Sequence, residues 1–143
     1  MSYSQVADLL NNLLGVHYHA ENTYKKGIEV VEDKVLKSFF VTKAAEKGSM
    51  INELTDIILR LNEKPLKEGS STQKAATLWS NVLLFFKGNS KTAILDECKK
   101  AEQTVLDEYV EVLKHASITD FNREILEGHR NEISEGLSSS YDL

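Results

Sequence analysis

Residues 94–113 read ILDECKKAEQTVLDEYVEVL, and their pattern decides the fold. Ile94, Leu95, Cys98, Ala101, Val105, Leu106, Tyr109, Val112 and Leu113 recur every three or four residues, which makes one face of a helix apolar. Such a face has to be covered by other elements. A single carboxylate, Glu102, falls near its centre, and a charge taken out of water there needs a partner.

Working outward, the same period recurs on both sides. From a Ser2 or Ser4 cap to about Val31, the residues Val6, Leu10, Leu13, Ala20, Tyr24 and Ile28 form a stripe that also holds His17 and Glu21. Asp33 can cap a second helix, whose face includes Leu36, Phe39, Phe40, Ala44, Ile51, Leu54 and Ile58, with Lys47 in its middle. Pro65 forbids continuation, and NEKPLKEGSS at 62–71 reads as the start of a connection. Ser71 or Thr72 then caps a short aromatic helix to Lys87 with Trp79, Phe85 and Phe86, after which the helix around Glu102 spans about Ser90 to Ala116. The last helix starts at Thr119 or Asp120 and sets Phe121, Ile125, Leu126, Ile133 and Leu137 around His129, before a flexible tail, SSSYDL, at 138–143.

No strand-period segment or repeat interrupts this order. The expected fold is all-α: a ferritin-like four-helix bundle with a long crossover between helices two and three that carries the extra short aromatic helix. With 143 residues and one proline, a single domain over 1–143 with a core of about 4–137 suffices.

A net charge of -5 removes the basic footprint that nucleic acid would require. The apolar run from Leu78 to Phe86 is far short of the roughly 20 residues that span a bilayer, so a membrane partner is not expected. One cysteine, Cys98, cannot form an internal disulfide, and MSYSQVADLL lacks the pattern of a signal peptide. Both point to the cytoplasm.

Four phrases carry a resemblance: AENTYKKGIEVVEDKVLKSFF at 20–40, AAEKGSMINEL at 44–54, TLWSNVLLFFKG at 77–88 and AILDECKKAEQTVLDEY at 93–109. The most specific part is the aromatic helix, the glycine break, and a glutamate four residues beyond a cysteine. Over about residues 4–135 the chain resembles a bacterial ferritin-like family of unknown function, domain-of-unknown-function family 2383. The resemblance implies a four-helix ferritin-like fold in a bacterial cytoplasm and implies no reaction.

A di-metal site in such a bundle takes a Glu from each of two helices and a Glu-x-x-His pair from each of the others. Glu21 and Glu102 meet the first requirement. Neither pair exists: Glu46 is followed at the third position by Ser49, and Leu126 stands where a glutamate should precede His129. A degenerate iron or manganese site would have to use Glu21, Glu46, Glu102, His129 and Glu132. Lys47, inward at mid-height, favours a metal-free network instead: Lys47 against Glu21 and Glu102, with His17, His129 and Tyr24 or Tyr109 around them. This reading gives no catalytic residue and no cofactor, and points to a binding or structural module. Trp79, Phe85 and Phe86 are expected to pack as a lid or, failing that, to join copies into a homo-oligomer.

Overall fold

Capping side chains set where the helices begin. In the computed structural model, which describes residues 2–68, 72–139 and 141, Ser2 and Gln5 form a reciprocal capping box at the start of α1 (Tyr3–Val30). The Asp33 carboxylate accepts from Leu36 N at 2.9 Å to open α2 (Lys34–Arg60). Thr72 and Ser90 play the same part for α3 (Gln73–Leu84) and α4 (Lys91–Leu113). The alternative cap Ser71 lies outside the described residues. The last helix, α5 (Asp120–Ser139), begins where Thr119 O accepts from Arg123 N.

The described residues are all-α: five helices and no strand. None of these helices is long and apolar enough to cross a membrane. A short turn folds α1 back on α2, and these two make the most extensive contact in the molecule. The α4–α5 pair is built likewise, its turn held by Arg123, which donates to the carbonyls of Leu113, His115 and Ile118. The two hairpins meet through lighter contacts, α1 with α4 and α2 with α5, while α3 rests on α1 and α4. The connection from α2 is strapped to α1 by Asn11, whose side chain donates to Lys64 O and accepts from Leu66 N.

Two expectations need correction, and one is met. Phe121 is 61% exposed and stacks on the Arg60 guanidinium at 5.4 Å, so it is not a core residue. Ser138 and Ser139 continue α5, and the Tyr141 ring packs edge-on against Phe39 at 5.2 Å, so these parts of the expected tail are ordered by packing. Ser140, Asp142 and Leu143 lie outside the described residues. Finally, Trp79 and Phe86 are buried within the chain and Phe85 is half-buried, which leaves Leu84 as the exposed apolar residue of α3. The aromatic helix packs as a lid, with Trp79 and Phe86 turned onto α1, α2 and α4.

That lid depends on a close approach. A Cβ built on Gly27 of α1 would lie 2.6 Å from the Phe86 ring and 2.8 Å from the Phe40 ring, and those rings stack at 4.8 Å. Gly27→Ala should therefore destabilise the protein by about 1–3 kcal/mol in urea unfolding, overriding the roughly 1 kcal/mol by which alanine favours a helix. An unchanged or raised midpoint would show that α3 is not seated there.

Candidate functional site

The helical faces that bury Leu54 and Val105 also bury charge. Lys47 shares its face of α2 with Phe40, Ala44, Ile51 and Leu54, and its side chain is wholly inaccessible. Glu102 lies on α4 between Cys98 and Val105. Lys47 Nζ donates to Glu102 Oε1 at 2.6 Å, and Tyr24 Oη of α1 donates to Oε2 at 2.8 Å. Three helices thus converge on one carboxylate, each of whose oxygens has a donor. Burial, followed by the Glu102 charge, holds the Tyr24 phenol well above its usual range, which keeps it a donor.

A second string of polar groups runs beside this one and touches all four long helices. His17 Nε2 on α1 lies 2.7 Å from Tyr109 Oη on α4, which lies 2.9 Å from His129 Nδ1 on α5. His129 Nε2 is 3.2 Å from Glu53 Oε1 on α2. Chemistry fixes the direction of these bonds. A carboxylate only accepts, so His129 carries its proton on Nε2, and in the neutral ring Nδ1 must accept. Tyr109 then donates to His129 and accepts from His17 Nε2–H. The last position, His17 Nδ1, is left as a buried lone pair with no hydrogen-bond partner among the described residues.

The sequence expectation placed Glu21 against Lys47. Glu21 instead sits at the edge of α1, 3.7 Å from Lys25, with Oε2 only 2.8 Å from where a Cβ on Gly48 would stand. Tyr24 occupies the place assigned to it. Glu46 lies 3.5 Å from Lys43 and 4.0 Å from Lys47, and burial raises its carboxyl above the usual range against the pull of both lysines. Three participants were not foreseen. Lys43 is buried with its ammonium over the Phe39 and Tyr141 rings, and it stands one turn before Lys47, a spacing that could have revealed it. Glu53, with a side chain 49% exposed, and Tyr141 gave no such signal.

Most of the alternative ligands Glu21, Glu46, Glu102, His129 and Glu132 are exposed or already engaged. Glu132 is exposed, Glu21 is committed to Lys25, and both Glu102 oxygens are occupied by Lys47 and Tyr24. Among the described residues no group of three or more His, Cys, Asp or Glu side chains is placed to hold a metal ion. A di-metal centre at these residues would have to displace Lys47 and Tyr24 from Glu102. Cys98 is buried, and burial and then the Glu102 charge push its thiol far up, which keeps it protonated.

A family model for a domain of unknown function, DUF2383, matches residues 5–115. The chain belongs to this family. The DUF2383 match spans α1 to α4 and so contains His17, Tyr24, Lys47, Glu53, Glu102 and Tyr109, while His129 on α5 lies beyond it. No curated protein matches the sequence.

The histidines of this DUF2383 chain give it a pH dependence of definite sign. Burial, with Lys47 and then His129 adding to it, holds His17 well below its usual range. Burial also lowers His129, opposed by the hydrogen bond and charge of Glu53. Both rings bind protons more readily when unfolded, so stability is full above the unfolded value of about 6.5 and falls as pH drops below it. Stability should therefore fall with a steepening slope as pH drops from 7 to 5.5, and His17→Gln should make that slope shallower. A wild-type urea midpoint that stays flat across this window would contradict the buried neutral pair.

Proposed function

We propose that this chain is a ferritin-like four-helix bundle of the bacterial cytoplasm that works as a metal-free binding or structural module, its centre held by a Lys/Glu/His network. The observation that carries this reading is the Lys47 ammonium 2.6 Å from Glu102 Oε1, at the mid-height where a bundle of this kind would hold its ions. A resident lysine supplies the positive charge that bridging carboxylates would otherwise take from metal. The bacterial and cytoplasmic setting rests on the resemblance of the four phrases quoted from the sequence. In this reading Lys47, Glu102, His17 and His129 are structural groups, Glu21 serves only the edge of α1, and no residue is catalytic. Association between copies through α3 would have to use Leu84, since Trp79 and Phe86 face inward.

Elemental analysis of protein purified without chelator separates this from an iron-handling or oxidoreductase role. Iron, manganese and zinc should stay well below one equivalent, in wild type and in Glu102→Ala alike. A stoichiometric metal that disappears in Glu102→Ala would overturn the proposal.

A further inference from the structure

The seam between α1 and α4 is covered over only part of its length. At one end α3 lies on it: Thr23 Oγ1 of α1 donates to Trp79 O, Trp79 packs edge-on against Tyr24 at 5.6 Å, and Phe86 sits over Gly27. The residues that α3 buries are Ala75, Trp79, Val82 and, just past its end, Phe86, a spacing of four, three and four. This seam therefore accepts an amphipathic helix by one apolar stripe.

Beyond the start of α3 the described residues leave the seam open. A groove of about 550 Å³ continues along it, floored by Leu9, Leu13 and Val16 of α1 and by Val112 of α4. Its length, Leu9 to Val16 on one side and Thr104 to Val112 on the other, is about two helical turns, roughly 11 Å. The α4 rim is acidic, with Asp107, Glu108 and Glu111, against one cation, Lys74, at the α3 end. Glu111 is also paired with the exposed Lys114. Glu108 is half-buried and makes no ion pair or hydrogen bond among the described residues, and burial raises its carboxyl against the opposing charge of Lys74.

From these features we infer that the open part of the α1–α4 seam is a docking groove for a short, basic amphipathic helix of a partner protein. Its apolar residues, at i, i+4 and i+7 as in α3, would fill the floor between Leu9 and Val112, and lysine or arginine on its flank would meet Glu108 and Glu111. An acidic or uncharged helix could cover the floor but would desolvate Glu108 further with only the Lys74 charge to oppose it. The inference rests on the binding half of the proposed function and is independent of the metal-free centre. Stoichiometric metal would overturn that function with this groove unaffected, and a silent groove would leave the metal result standing.

The test titrates the full-length protein into a fluorescein-labelled peptide of about 14 residues, leucine and lysine arranged at helical spacing, read by anisotropy. A scrambled peptide of equal composition and a glutamate version serve as comparisons. Methyl NMR of the wild type locates the contact. Expected are micromolar binding by the amphipathic basic peptide, at least about tenfold weaker binding by both comparisons, and shifts confined to the Leu9, Leu13, Val16 and Val112 methyls. The double reversal Glu108→Lys/Glu111→Lys, at sites that are not core, should weaken binding at least about tenfold with its urea midpoint kept. Equal binding by the scrambled peptide, an unchanged titration by the reversal variant, or shifts elsewhere would overturn the inference. So would a concentration-dependent dimer of the wild type abolished by the same reversal, which would assign the groove to a second copy.

Discussion

Everything at the centre of this molecule follows from one buried ammonium. Lys47 has no exposed surface, and a cation in that position is tolerable only beside an anion whose own lone pairs are satisfied. Glu102 supplies the anion and Tyr24 completes it, so α2, α4 and α1 are tied to one point. Slipping any of these helices by one residue would turn its charged or hydroxyl group by about 100° and strand the others in an apolar core. Such a pair adds little net stability compared with apolar residues of the same size, but it discriminates strongly between registers.

The histidine string extends the same constraint to α5. Because α1 packs mainly on α2 and α4 mainly on α5, the two hairpins share comparatively little apolar surface, and polar groups fill part of the contact between them. His17 and Tyr109 cross from one hairpin to the other on one side, and His129 and Glu53 cross back on the opposite side. The bond directions permit one arrangement of protons with both rings neutral, which makes the contact specific as well as satisfied. It also leaves the buried Nδ1 of His17 as the point where added acid meets no acceptor among the described residues.

Much of the fold was legible in the sequence because it depends on period and caps. The faces through Val6, Leu36, Ile94 and Leu126, the Asp33 cap and the helix break before Pro65 are all local properties. The inward direction of Lys47 and Glu102 could be read the same way, since each sits in step with apolar neighbours. What period does not give is reach. Glu21 and Tyr24 share a side of α1, but the phenol points to the centre while the carboxylate stops at the edge beside Gly48 and Lys25. Phe121 looked like core because it is apolar at the right spacing, although its ring is largely exposed and finds Arg60 instead. Tyr141 follows a run of serines with no period, and only tertiary packing on Phe39 and Lys43 gives it a place.

Whether the Lys47–Glu102 pair is what holds the centre is measured most directly by a double-mutant cycle in urea at pH 7.5. Lys47→Met alone strands a buried carboxylate and should cost about 3–5 kcal/mol, whereas Lys47→Met combined with Glu102→Gln should recover most of that loss. A Lys47→Met protein that unfolds at the same urea concentration as the wild type would contradict the account.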